Sequence, residues 1–311
     1  MNTNQPLTRD TATSDVLLPI REVSLQTGVN AVTLRAWERR YGLIRPLRTI
    51  KGHRLYSLEQ IDVIHEVLSW LQRGVAVSQV KLLLQEEQHQ PEETVDSFWA
   101  GGLQQWLGYI EDLAERPLDE SFNQVLTLYP PETLCRYLLL PLLERLQLRW
   151  NSQSATGVEQ VFFLSWLRNK LGARIAHDNR LRTGAPLLML NLSDRVMEPG
   201  FWLSAWLANY TGCPLSLYEW PIPSENLTFA VHKLKPRAVV LYADGCVKPG
   251  YLRAMLEAVE VPLLLCGHAV SIHHEILGSM PDLHLADNPI ATLYRLQQLG
   301  LVEAPTGASH V

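Results

Sequence analysis

The chain of 311 residues contains little cysteine, and its cysteines lie far apart. They are Cys135, Cys213, Cys246 and Cys266. Because they form no CxxC pair, this spacing indicates neither a zinc site nor a disulfide framework. We therefore expect a protein that works in a reducing compartment.

The sequence also lacks a long apolar run. Its longest apolar stretch, LCRYLLLPLLERLQLRW, is interrupted by Arg136, Glu144 and Arg145 and is therefore too polar to span a bilayer. The opening stretch MNTNQPLTRDTATSDV is polar and typical of a disordered tail, with no secretory signal. These features predict a soluble, cytoplasmic protein without membrane contact.

Motifs of enzymes are missing as well. The sequence contains no nucleophile elbow, no phosphate-binding glycine loop and no paired-carboxylate motif, so we predict no catalytic residues and no enzyme activity. The adjacent His273 and His274 face different directions on a helix and have no further ligand at suitable spacing. No metal site is predicted.

Positive charge, in contrast, is concentrated near the start of the chain. Between Leu18 and Tyr56 eight basic residues stand against two acidic ones, whereas the whole chain has a formal charge of −5. The basic residues are Arg21, Arg35, Arg39, Arg40, Arg45, Arg48, Lys51 and Arg54. A basic segment on an acidic body is typical of nucleic-acid-binding proteins.

The stretch VTLRAWERRY predicts a short amphipathic helix. At 100° per residue Leu34, Trp37 and Tyr41 share one face, while Arg35 and Arg39 lie toward the opposite side. An aromatic inner face with an arginine outer face suits insertion into the major groove of DNA, where arginine binds guanine edges or phosphates. We therefore predict that this helix contacts DNA.

Flanking residues predict the elements around this helix. A first helix in REVSLQTGV ends at Gly28, and Asn30 caps the second helix. RTIKGHRLYS predicts a two-stranded hairpin that turns at KG. Ser57 with Gln60 resembles a capping box that opens a third helix. Helix, turn, helix and basic hairpin together predict a winged helix-turn-helix.

Beyond this segment the patterns predict two further domains, which makes the chain multidomain. Residues 92–182 predict a central four-helix bundle, with helices near 93–113, 118–128, 131–150 and 156–180. In 185–303 the β-type runs APLLMLNL, CPLSLYEW, AVVLYA and VPLLLCG alternate with helical patterns, which predicts a C-terminal α/β, Rossmann-like domain with a doubly wound parallel sheet. The full set of predicted boundaries is a tail at 1–16, the winged helix-turn-helix at 17–90, the bundle at 92–182, the α/β domain at 185–303 and a tail at 304–311.

The predicted sheet has a candidate ligand site. In open α/β domains ligands bind at the carboxyl ends of the strands, which here are Ser193–Gly200, Tyr242–Cys246 and Gly267–Ala269. Small residues at these strand ends suit either the close approach of a ligand or a tight turn without one. Both readings stay open.

The stretch REVSLQTGVNAVTLRAWERRYGLIRPLRTIKGHRLYS resembles the winged helix-turn-helix of the MerR family, in particular its MlrA/CarH/LitR branch. The resemblance implies binding to double-stranded, palindromic promoter DNA as a homodimer or higher homo-oligomer, with an effect on RNA polymerase there. It implies DNA contacts by Thr33, Arg35, Arg39, Arg40 and Tyr41 in the recognition helix and by Arg48, Lys51, His53, Arg54 and Tyr56 in the wing.

The two later domains resemble the cobalamin-binding region of the same branch. The resemblance places Trp150 over the upper face of the corrin. The Glu-His pair that follows it in cobalamin-binding members is replaced by Gln160 and Val161. Beyond Leu181 the resemblance is weaker.

The lower cobalt ligand of that branch is the histidine of a D/E-x-H-x-x-G loop. In SDRVMEPGFW the closing glycine matches Gly200, which places Met197 at the histidine and Arg195 at the acid. An acidic partner raises the basicity of a histidine that binds a metal. Met197 cannot act as that histidine, and Arg195 cannot act as its acidic partner. Because most of these residues are absent, no cofactor is predicted, although cobalamin stays an alternative.

We therefore predict a DNA-binding transcriptional regulator whose sensor-like C-terminal region has lost most cobalamin-ligand residues. The alternative is a cobalamin-dependent, light-responsive repressor that retains a non-standard binding mode. The signal to which the regulator responds is either an unidentified small molecule or a protein partner, and both alternatives stay open.

Overall fold

The computed structural model describes residues 16–84, 92–152, 157–193 and 197–303, without the side chains of residues 92–97 and 224. Arg195, the tail predicted at 304–311 and all but the last residue of the tail at 1–16 lie outside the described residues. Within the described ranges no helix is both long enough and apolar enough to cross a membrane.

The first segment consists of short helices and a small sheet. Its elements are β1 (Leu18–Pro19), α1 (Ile20–Thr27), α2 (Ala31–Ala36), β2 (Leu47–Arg48), β3 (Arg54–Tyr56), α3 (Leu58–Gln72) and α4 (Val77–Leu83). Helix α2 continues through a π-helical turn at Trp37–Tyr41, so the helical stretch has the predicted extent. Strand β3 pairs antiparallel with β2, as predicted, and also with β1, which was not predicted. A strand of two residues is too short to show an alternating pattern.

The local sequence explains where these helices begin and end. Helix α1 ends at Gly28, whose φ of 70° is the left-handed conformation that favours glycine. Asn30 Oδ1 accepts a hydrogen bond from a backbone N–H in the first turn of α2 (2.8 Å). Ser57 caps α3 in the same way, but Gln60 donates to the carbonyl of Arg45 instead of returning to Ser57. The predicted capping box is therefore only half formed.

The second segment is helical throughout. Its elements are α5 (Glu92–Glu111), α6 (Glu115–Leu128), α7 (Pro131–Leu134), α8 (Leu140–Ser152) and α9 (Gly157–Asn179). A π-helical turn at Cys135–Leu139 joins α7 and α8 into one rod. Trp106, Phe122 and Trp166 form an aromatic cluster between the helices, with ring centroids 5.5–6.2 Å apart. Burial of these large rings accounts for much of the hydrophobic stabilisation of the segment.

The third segment is a parallel sheet covered by helices. Its strands are β4 (Leu187–Asn191), β5 (Leu215–Tyr218), β6 (Ala238–Tyr242), β7 (Leu263–Cys266) and β8 (Leu283–Ala286). The helices between and after them are α10 (Pro199–Tyr210), α11 (Ser224–Leu234), α12 (Pro249–Ala258), α13 (Ala269–Ile272), α14 (His274–Leu277) and α15 (Pro289–Gln298). The parallel sheet is as predicted, with the addition of β8, whose sequence LHLA contains the polar His284 and was not predicted as a strand.

The strand order β5-β4-β6-β7-β8 determines where a ligand site can lie. After β4 the chain first adds β5 on one side and then β6 on the other, so the order reverses between β4 and β6. At such a switch point the helices that follow neighbouring strands diverge and leave a crevice at the carboxyl ends of the strands.

The first segment is fastened to the other two by hydrogen bonds of aromatic side chains. Trp37 Nε1 donates to Leu128 O (3.2 Å), Trp99 Nε1 to Gly74 O (2.7 Å) and Tyr210 Oη to Gly28 O (3.0 Å), while Tyr129 Oη accepts from Val77 N (3.0 Å). Each bond joins an element of the first segment to a helix, or a helix end, of the rest. The three segments therefore form one packed body.

Two leucines of α8 provide a matched test of this packing. Leu146 is 1% exposed and Leu148 is 71% exposed, although both lie on the same helix. We expect Leu146→Ala to lower the free energy of unfolding by about 2–5 kcal/mol and Leu148→Ala by less than about 0.5 kcal/mol. Urea titrations followed by tryptophan fluorescence measure both values, and equal losses would contradict the described orientation of α8.

Candidate nucleic-acid interface and ligand cleft

The outer face of the α2 helical stretch carries three arginines. Arg35, Arg39 and Arg40 are all exposed, whereas Leu34 and Trp37 on the inner face are 0% exposed. Within the described ranges no side chain forms an ion pair or hydrogen bond with these three guanidinium groups. Their charges and donors are therefore available to a partner outside the chain.

One carboxylate connects this helix to the wing. Glu38 Oε1 accepts a hydrogen bond from Arg48 Nη2 (2.8 Å), and Glu38 Oε2 accepts one from Arg54 Nε. Burial alone would raise the pKa of Glu38, but the hydrogen bonds from Arg54 and Arg48 outweigh it and hold the pKa below 4.5. The carboxylate thus stays ionised and fixes the wing beside the helix.

The wing itself is the predicted hairpin. Thr49 N donates to His53 O (2.9 Å) and Gly52 N donates to Thr49 O (2.8 Å), which closes the turn. Gly52 has a φ of 81°, a conformation that side-chain-bearing residues rarely adopt. Lys51 and His53 are exposed at the tip. The hairpin therefore presents basic side chains beside the arginines of α2.

Two of the residues predicted to contact DNA have buried side chains. Thr33 is 8% exposed and Tyr56 is 0% exposed. Thr33 lies four residues before Trp37, so helical geometry turns both toward the interior. Tyr56 packs under the hairpin, and burial raises the pKa of its hydroxyl. Tyr41 is half-buried against the core.

The two predicted arginine contacts of the wing differ in exposure. The side chain of Arg54 is 18% exposed and faces Glu38, so its main role in the fold is to hold the wing. Arg48 also binds Glu38, but its side chain is 51% exposed. The ion pairs of Glu38 were not predicted. The only sequence feature that indicates them is an acidic residue within a basic stretch.

A large cleft lies between the helical segment and the carboxyl edge of the parallel sheet. Its volume is about 1280 Å³. Trp150 lies on the helical wall, packs against Phe163 (ring centroids 6.4 Å apart) and has a buried Nε1 without a hydrogen-bond partner among the described residues. Met197 and Gly200 lie on the opposite wall. The structure therefore brings together residues from both predicted halves of a ligand site.

The strand ends that were predicted to border a crevice do line this cleft, through Gly200, Tyr242, Asp244 and Gly267 among others. Its charged lining is mainly acidic. The carboxylates are those of Glu144, Glu198, Glu219, Asp244 and Asp287, and the cationic side chain among the described lining residues is that of Arg168. Arg168 bridges the two walls, since its Nη2 donates to Glu219 Oε1 (2.6 Å).

An exposed arginine face on the second helix of a helix-turn-helix, with a basic hairpin beside it, defines a winged helix-turn-helix protein that binds DNA. Comparison with known families agrees, because residues 18–87 match the model described as MerR HTH family regulatory protein. The HTH-type transcriptional regulator MlrA of Escherichia coli (strain K12) is 31% identical over 223 residues, which cover 71% of this chain and 83% of that protein. The chain belongs to the MerR family of transcriptional regulators.

Two further relatives are named as repressors. The HTH-type transcriptional repressor CarH of Myxococcus xanthus is 27% identical, over 69% of this chain and 74% of its own length. CarA of the same organism is 35% identical, over 42% of this chain and 45% of its own. Among solved structures, the methanol:cobalamin methyltransferase complex MtaBC of Methanosarcina barkeri aligns with 74% of this chain and 91% of its own, with a TM-score of 0.33 and 14% identity.

At the cobalt-ligand positions that the sequence resemblance implies, the cleft carries residues of different chemistry. Met197 offers a thioether at the position where the resemblance expects histidine, and a thioether is a soft ligand without a fixed tautomer or a carboxylate partner. Val161, at a position of the upper pair, is 67% exposed and offers no donor atom. The space beside Gly200 is occupied by Tyr242.

The arginines of α2 give a direct prediction for DNA binding. We expect Arg35→Ala and Arg39→Ala each to weaken operator binding by about 1–3 kcal/mol, because each removes an exposed guanidinium group from the predicted DNA-contacting face of the helix. The thermal unfolding midpoint should stay nearly unchanged. Electrophoretic mobility shift measures the affinity, and Arg145→Ala, which removes an exposed arginine from α8, is the control. Wild-type affinity in both variants would contradict the helix assignment.

Glu38 gives a pH-dependent prediction. Because its folded pKa lies below the ordinary value, its contribution to stability is present above pH 4.5 and is lost as the pH falls through the folded pKa. We expect Glu38→Gln to lower the free energy of unfolding by about 1–2 kcal/mol at pH 7. The difference from wild type should shrink below pH 4.5 in urea titrations.

The control for this experiment is Glu66→Gln, which changes an exposed carboxylate of α3. This variant should unfold like wild type at every pH. A constant difference between wild type and Glu38→Gln from pH 7 to pH 3 would contradict the ionised carboxylate.

Proposed function

We propose that this MerR-family regulator binds palindromic promoter DNA as a homodimer or higher homo-oligomer and there alters the action of RNA polymerase. The observation that carries the proposal is the unpaired, exposed set Arg35, Arg39 and Arg40 on the second helix. Arg48, Lys51 and His53 of the wing contact the flanking phosphates. Such a protein acts where promoter DNA is, in the cytoplasm of a bacterial cell.

Symmetry is the reason for proposing a palindrome. A twofold oligomer presents two copies of α2, and each copy meets one half-site of the operator. Arginines on a short helix supply bidentate bonds to guanine edges, and the wing positions the module through the backbone. The relatives MlrA, CarA and CarH are named as transcriptional regulators, which supports a regulatory rather than a catalytic role.

The helical and α/β segments serve as the regulatory region, with an input other than cobalamin. Met197 and Val161 give the cleft no suitable cobalt ligand, and the carboxylates of its lining repel a strongly anionic molecule. The input is therefore an uncharged or cationic small molecule, or a protein partner. No enzymatic step is part of this proposal.

The DNA part of the proposal is tested by selection of duplexes from a random pool with the full-length chain, followed by DNase footprinting. We expect an enriched sequence with two half-sites related by a dyad, both protected. An enriched site without a dyad would contradict the oligomeric mode. A pool that shows no enrichment would contradict specific DNA binding.

The sensor part is tested by visible absorption. The purified chain is incubated in the dark with methylcobalamin, desalted and scanned. We expect a colourless protein, because the residues that would hold the cobalt are absent. Corrin absorbance in stoichiometric amount would contradict the proposal and would favour the cobalamin-dependent repressor instead.

A further inference from the structure

Tyr242 occupies an unusual place at the carboxyl end of β6. It is 5% exposed, and its ring lies against bare backbone at two glycines from other elements. A Cβ atom at position 200 would stand 2.9 Å from the ring carbons Cε2 and Cζ of Tyr242, and closer still to its hydroxyl. A Cβ at position 267 would stand 3.1 Å from Cε2 and closer still to the backbone carbonyl of Ala243, and Gly267 has a φ of 103°, so the backbone itself requires glycine there. The ring of Tyr242 therefore fills a slot that depends on the absence of a side chain at Gly200 and is bordered by Gly267.

The slot lies at the switch point of the sheet. Gly200 is in the first turn of α10, which follows β4, and Gly267 directly follows β7. Strand β6, which ends at Tyr242, pairs with both β4 and β7. In open parallel sheets this crevice is where ligands bind, and glycines at strand ends allow a ligand to approach the backbone closely. Here a side chain of the protein takes that space.

The slot opens into the cleft. Tyr242 is among the residues that line the cleft, and its Oη contacts Asp244 Oδ1 at 3.5 Å. Burial, and then the carboxylates of Asp244 and Glu198, raise the pKa of this phenol far above its ordinary value, so it is uncharged at every physiological pH. The surroundings of the hydroxyl thus tolerate a neutral or cationic group and disfavour an anion.

We propose that the side chain of Tyr242 fills a ligand subsite at the switch point. A ligand of the wild-type protein is therefore restricted to the outer part of the cleft, against Trp150. Removal of the ring creates a subsite for an aromatic molecule with a cationic arm. The aromatic ring replaces that of Tyr242 in the reverse orientation, so that the arm takes the place of the Tyr242 hydroxyl and faces the carboxylates of the cleft. This inference rests on the proposal that the cleft is the regulatory site.

The test uses Tyr242→Ala in the full-length chain, with tyramine as the probe. Tyramine carries the same phenol on an ammonium arm. We expect isothermal titration calorimetry to show tyramine binding to Tyr242→Ala at least about tenfold more tightly than to wild type, because the vacated slot accepts the ring. The anionic analogue 4-hydroxyphenylacetate should bind more weakly than tyramine, because the lining is acidic.

Two further variants keep the test decisive. Tyr242→Phe retains the ring, and we expect it to bind tyramine no better than wild type. Tyr242→Leu vacates the outer end of the slot but retains apolar contacts with the core, so it replaces Tyr242→Ala if that variant does not fold. A thermal melt of each variant establishes that it is folded before titration.

Two results would overturn the inference. If p-cresol raises the melting temperature of Tyr242→Ala but tyramine does not bind, the vacated space is a closed core cavity and not a subsite of the cleft. If wild type binds tyramine as tightly as Tyr242→Ala and Tyr242→Leu, the ring of Tyr242 does not exclude a ligand from the slot. DNase footprints of the same variants on the selected operator report DNA binding independently of tyramine binding. A failure of the inference is therefore distinguishable from a failure of the proposed DNA-binding function.

Discussion

The burial of Trp37 is the constraint on which the arrangement of this protein depends. Its ring is 0% exposed, and its Nε1 donates to the carbonyl of Leu128 at the end of α6. Because the indole points inward, helical geometry turns Arg35 and Arg39 outward. One side chain therefore orients the exposed arginines of this helix and also fastens the helix to the helical segment. A recognition helix of so few residues has little intrinsic stability, so this anchorage matters more than its propensity.

A single helix touches both ends of the regulator. Helix α10 begins beside the cleft, where Gly200 meets Tyr242. It ends at Tyr210, whose hydroxyl donates to the carbonyl of Gly28, the residue that ends α1. Helix α10 therefore connects the edge of the cleft to the turn that precedes α2. Most of its side chains are buried, so α10 packs closely along this whole length.

Much of this organisation could be predicted from the sequence, because the relevant interactions are local. The amphipathic spacing around Trp37, the glycine stop at Gly28 and the alternation of strands and helices all lie within short windows. What the sequence could not predict depends on residues that meet only in three dimensions. Glu38 binds arginines ten and sixteen residues later. Tyr242 meets glycines from two other elements. Strand β1 was missed because two residues cannot show a periodic pattern.

Amide hydrogen–deuterium exchange of the full-length chain, with and without its selected operator, tests whether this arginine-bearing helix meets the DNA. We expect DNA-dependent protection to be confined to the helical stretch that contains Arg35 and Arg39 and to the hairpin that closes at Thr49 and His53. Protection concentrated on the α/β segment, with the helix unaffected, would contradict the assignment of this surface as the DNA interface.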